Sequence, residues 1–129
     1  MSNSVPIGAK GKVYVEGRND MSTEQKMGIS WTIIDPEGIG VVGNSPYQDW
    51  AFGGTAPGQT HTFDGPEFNL DKVGTWRIGI GLFMNPTAPV QVASYDGVLC
   101  VVAELAEFFA GTIVKMELKF DGIENIPVG

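Results

Sequence analysis

The chain contains one histidine and one cysteine, so Cys/His-type nucleophilic chemistry would have to run through His61 and Cys100. Such a couple also needs an orienting carboxylate and a motif that presents the nucleophile. Neither residue has that setting. His61 alternates with Thr60 and Thr62 in a strand-like run, the pattern of a surface or packed histidine. Cys100 lies inside Val98-Leu99-Cys100-Val101-Val102. An apolar neighbourhood raises a thiol's pKa and leaves it inert. No catalytic residue and no enzymatic activity is therefore expected.

The carboxylates Asp35, Glu37, Asp64, Glu67, Asp71 and Asp96 all sit at turn signals. A calcium loop gathers several oxygens from closely spaced acids, and no Asp-x-Asp-x-Asp spacing occurs. Asp favours turns through its own backbone hydrogen bonds, so these residues read as turn formers and no metal is expected. Gly38, Gly40, Gly43, Gly53 and Gly54 do not form a phosphate loop or a dinucleotide fingerprint. No cofactor is expected either.

Two groups point to recognition. Tyr47, Trp50 and Phe52 stand in the irregular stretch Gly40–Gly58. Exposed, they would stack on sugar rings or anchor a protein interface; folded back, they would cap the core. The second group lies in Thr112–Phe120, where Val114, Met116, Leu118 and Phe120 alternate with Ile113, Lys115, Glu117 and Lys119. A one-sided apolar strand of that length must be covered, by this chain's own sheet or by a neighbour's. Asp121-Gly122 follows, a two-residue hairpin signal that would return Ile123–Val128 alongside.

The elements that carry these groups are strands. Period-two alternation runs through Val13–Val15, Met27–Ile33, Trp76–Met84 and Val114–Phe120, with weaker runs at Ile39–Val42, Thr60–Phe63 and Pro89–Tyr95. Val98–Ala103 is apolar on both sides, which predicts a central or doubly covered strand. Asp35-Pro36-Glu37-Gly38, Ala56-Pro57-Gly58, Asp64-Gly65-Pro66 and Asp96-Gly97 supply the turns. Ala103–Ala110, ended by Gly111, is either a short helix or an extended linker. Short strands with such turns describe a β-sandwich or barrel. The expected core is Val13, Val15, Met27, Ile29, Trp31, Ile33, Phe63, Phe68, Leu70, Trp76, Ile78, Ile80, Leu82, Leu99 and Val101, with Trp31 and Trp76 on facing sheets.

Composition narrows the partners. With 129 residues the chain is one domain's worth. Eight basic against fifteen acidic residues give a net charge of −7. Nucleic acid and anionic membranes call for the opposite sign. One cysteine excludes an intrachain disulfide. Met1–Pro6 shows no basic segment leading into an apolar run, so no signal peptide is expected, and the location would be cytoplasmic or, for a viral protein, the virion.

Leu70-Asp71-Lys72-Val73-Gly74-Thr75-Trp76-Arg77-Ile78 resembles the E–F corner of immunoglobulin-like domains, Pro57–Phe63 resembles the approach to their strand E, and Trp31 sits where they keep a core Trp on strand C. The resemblance covers about residues 11–103. It departs from antibody-type domains in placing Trp76 for the corner Tyr and in lacking the inter-sheet cysteine pair. The layout Gln25-Lys26-Met27-Gly28, Asp35-Pro36-Glu37-Gly38, Leu82–Pro86 and Leu99–Val102 also resembles small accessory domains of phage and phage-like particles. Together these imply an all-β, immunoglobulin-like antiparallel sandwich over residues 1–103, followed by a linker and C-terminal β-hairpin extension over residues 104–129. The implied function is a structural virion component (capsid, decoration or tail) that assembles with itself or a larger particle. The competing expectation is a recognition module that binds carbohydrate or a cell-surface ligand through Tyr47, Trp50 and Phe52.

Overall fold

Residues that alternate apolar with small or polar side chains favour extended chain with one buried face, and strands are what these runs form. A computed structural model describes residues 4–104, 111–120 and 123–127. In chain order the strands are β1 (Ser4–Pro6), β2 (Lys10–Gly11), β3 (Tyr14–Arg18), β4 (Met27–Ile34), β5 (Tyr47–Trp50), β6 (Thr60–Asp64), β7 (Phe68–Asn69), β8 (Gly74–Met84), β9 (Val90–Ala103), β10 (Glu117–Phe120) and β11 (Ile123–Pro127). Among the described residues there is no helix; the helix-or-linker segment Leu105–Ala110 lies outside them.

Five strands form one sheet in the order β1-β9-β8-β4-β5, with β1 parallel to β9 and the other pairs antiparallel. Two antiparallel ribbons, β3-β6 and β2-β7, supply the second layer. Val13, Phe63 and Phe68 from the ribbon side join Met27, Ile29, Trp31, Ile33, Trp76 and Ile78 of the sheet in a single core. The result is all-β and two-layered, consistent with a β-sandwich.

Polar groups lock the core in place. The Trp31 indole N–H donates to the Asn44 side-chain oxygen at 3.0 Å, and Asn44, itself fully buried, donates on to the Pro66 carbonyl. The Trp76 indole N–H donates to the Lys72 carbonyl at 3.0 Å, closing the corner that leads into β8. Asn19, also fully buried, bridges the Thr23 and Thr55 carbonyls and the Met21 N–H. Among the described residues no buried side-chain nitrogen or oxygen is left unpartnered.

Several expectations need correction. Trp31 and Trp76 are both 1% exposed, but they lie on adjacent strands of one sheet rather than on facing sheets, because the inner faces of β4 and β8 point the same way. Asp96-Gly97 is not a turn: it runs inside β9, with Asp96 opposite Gly79 and Gly97 opposite Ile78. The reversal is made earlier, where Asn85 takes φ 63° and its carbonyl accepts the Ala88 N–H. The long β8 then needs a partner of matching length, and Asp-Gly is drawn into the ladder. Val102, not Val101, is buried. The register shifts by one between Trp76↔Cys100 and Arg77↔Val98, so Leu99 is a bulge residue and the alternation beyond it is inverted. Ile39–Val42 forms only an isolated bridge, Ile34 to Gly40. Val101 and Val102 do lie between two strands, β1 and β8. Val15, Ile80, Leu82 and Leu99, expected in the core, are only partly buried.

Candidate functional site

The aromatic group is split by its own strand. Successive side chains of a strand point to opposite faces, and β5 is the edge strand beside β4. Tyr47 turns inward: its ring lies 4.6 Å from that of Trp31, and its hydroxyl donates to the Asp64 carbonyl. Burial pushes the Tyr47 phenol above its ordinary pKa. Trp50 takes the outer face and lies over Gly28, where an added Cβ would meet the indole at 2.6 Å. Glycine at that position lets the ring lie flat on the sheet. Phe52 is 102% exposed, past the end of the strand. Tyr47, Trp50 and Phe52 therefore do not make one platform.

Trp50 instead borders a shallow groove of ≈ 480 Å³ on the outer sheet face, with Ser30, Gln48, Asp49, Phe83 and Pro89. Sequence reading missed Phe83 and the polar residues. The available signal was that the positions between the core residues of β4 and β8 are small or polar: Gly28, Ser30 and Thr32, then Gly79 and Gly81.

The C-terminal group behaves differently. Strand structure was expected from Thr112 but begins at Glu117; residues 111–116 have no regular structure. A strand persists only where a partner supplies hydrogen bonds, and here β10 pairs with the short β11, Glu117 opposite Pro127 and Leu118 opposite Ile126. The Asp121-Gly122 turn expected between them lies outside the described residues. Among the described strands β10 and β11 pair with nothing else. Ile113 is 88% exposed, Val114 90%, Met116 63% and Leu118 54%. Of the two covers expected, this chain's own sheet or a neighbour's, the described residues of this chain leave Val114, Met116 and Leu118 exposed. The side chain of Phe120 lies outside the described residues.

The residues considered for chemistry are dispersed. His61 stands on β6 opposite Gly17, edge-on to Phe63 at 4.6 Å. Cys100 is on β9, in the other layer, and burial raises its thiol pKa. Asp35 is a structural acid: its carboxylate accepts the Glu37 and Ile39 N–H groups at 2.9 Å each and the Lys72 ammonium. The ammonium first, then the backbone donors, hold the Asp35 carboxyl below its ordinary pKa. Among the described residues no three His, Cys, Asp or Glu side chains converge as metal ligands, and no helix is long and apolar enough to cross a membrane.

No protein-family model matches the chain, and comparison with curated proteins finds no match.

Proposed function

We propose that this protein is a non-enzymatic structural domain that assembles with copies of itself or with a larger particle, through the apolar residues of its C-terminal segment. The observation that carries this is the run of exposed Ile113, Val114, Met116 and Leu118 leading into a hairpin that pairs only with itself among the described strands. Exposed apolar runs of this kind mark interaction surfaces, and a lone two-stranded hairpin is marginally stable in water. Burying each such side chain is worth about 1.5–3 kcal/mol before ordering entropy is subtracted. A phage-type virion component, whether capsid, decoration or tail, is the setting the sequence resemblance favours.

The immunoglobulin-like reading belongs with this proposal. It is supported by the sheet order, in which an edge strand parallel to the last long strand is followed by its antiparallel neighbours, the arrangement of a GFCC′ sheet. The Trp76–Lys72 bond at the corner also supports it, doing the work of a corner Tyr hydroxyl. The test of assembly is light scattering on the full chain and on a variant with Val114→Ser, Met116→Ser and Leu118→Ser. Oligomers for the first and monomers for the second are expected; equal masses overturn the proposal.

A second reading has one observation in its favour. The outer-face groove sets Trp50 and Phe83 beside polar Ser30, Gln48 and Asp49, a surface suited to stacking and hydrogen bonding a sugar ring. Trp50→Ala abolishing glycan-array binding would support it.

A further inference from the structure

The partly buried Val15, Ile80 and Leu82 have a common cause. They line a mainly apolar groove of ≈ 170 Å³, together with Glu16, Gly17, Ala93, Ser94 and Tyr95, that opens between the two layers beside β9. Gly17 lets β3 close down on Leu82, since a Cβ there would meet that side chain at 2.8 Å. The layers meet at β8, and among the described residues no strand of the second layer pairs over the β9 margin, so the core is open along this side.

The neighbouring sheet edge is also unfinished. β9 pairs with β8 along one side over its length, but β1 covers its other side only at Val101–Ala103. Register shifts place bulge residues at Val92 and Leu99. Bulges blunt an edge against pairing. Between them, Ala93–Val98 is regular, paired residue for residue with Leu82 back to Arg77. It is a strand template with an apolar groove beneath it.

We propose that this seam is a strand-acceptor site, filled in the assembled protein by residues 112–116 of a second copy; the inference rests on the assembly reading above. The donor is a five-residue segment, against six in the acceptor, that belongs to none of the described strands. Its alternation fits. With Val114 and Met116 turned into the groove, Lys115 comes to the outer face. Asp96, opposite Gly79, stands on that same face. Lys115, whose ammonium pairs with Glu117 in the single chain, is the only charge within 112–116; Asp96 is the only charge within 93–98, and Glu16 adds a second acid at the groove. Backbone hydrogen bonds would supply affinity and the alternate side chains specificity, as in other strand additions.

Amide hydrogen exchange on the full chain tests this, recorded above and below the association midpoint, with Val114→Asp as the control. Slowing of about tenfold or more in both 93–98 and 112–116 is expected in the oligomer alone, and is lost in Val114→Asp. Oligomers whose 93–98 amides exchange as in the monomer would overturn the acceptor while leaving assembly standing. Protection of both segments in the monomer would mean that the chain fills its own seam, which overturns the second copy as donor. A chain that stays monomeric at every concentration would overturn both readings.

Discussion

The end of the molecule around Trp31 and the side around β9 are built from the same alternating pattern, yet one is closed and the other is not. At the Trp31 end both layers meet, the indole N–H has its acceptor in Asn44, and Tyr47 covers the ring from the edge strand. Along β9 the second layer stops short, so Val15, Ile80 and Leu82 stay partly exposed and the sheet edge is open. Farther along the same chain, Ile113, Val114, Met116 and Leu118 are exposed. An apolar face is buried only where the topology supplies a second layer; where it does not, the face stays exposed.

The sharpest way to separate the two regions is to cut each. Trp31→Ala or Trp76→Ala should destabilise the fold by about 3–5 kcal/mol, measured by urea unfolding of the monomer. Val114→Ala should change that stability by less than about 0.5 kcal/mol while weakening assembly. Comparable losses from both would erase the distinction between closed core and open surface.

Asn44→Ala leaves the Trp31 N–H buried without an acceptor and should cost about 1–3 kcal/mol. A neutral result would mean that water reaches the indole. It would also mean that the closed end is less closed than its geometry shows.

The Asp35–Lys72 pair gives the closed region a pH signature. The folded pKa of Asp35 lies below its unfolded value of about 3.9. Its stabilising contribution is thus complete above that pH and is lost as pH falls through the folded pKa. Asp35→Asn should therefore be less stable than wild type at neutral pH, with the gap shrinking below about pH 4. A gap that is constant with pH would show that the carboxylate's charge contributes nothing.

Smallest of all is the effect expected at Cys100. Burial raises its thiol pKa, so it should react with a disulfide reagent more slowly than free cysteine, and Cys100→Ser should leave assembly unchanged. Rapid modification would put Cys100 on the open side of the molecule.

Much of the fold was legible because period two is a local signal. Met27, Ile29, Trp31 and Ile33 could be assigned to one buried face from their spacing alone. Bulges were not legible. A single extra residue at Leu99 reverses which neighbours face inward, and nothing in Val98–Val102 marks it. Asp96-Gly97 misled because turn propensity is weaker than the length match between β8 and β9. Tyr47, Trp50 and Phe52 are close in sequence, but strand alternation sends the first two to opposite faces. The open seam depends on where the second layer ends, a property of topology rather than of any residue's type.

Sedimentation velocity on the full-length chain over a wide concentration range, with Val114→Asp alongside, tests the central claim most directly. Assembly through the C-terminal segment predicts a wild-type mass that rises with concentration and a variant that stays monomeric with an unchanged melting temperature. A wild type that is monomeric throughout, or a variant that assembles equally well, would contradict it.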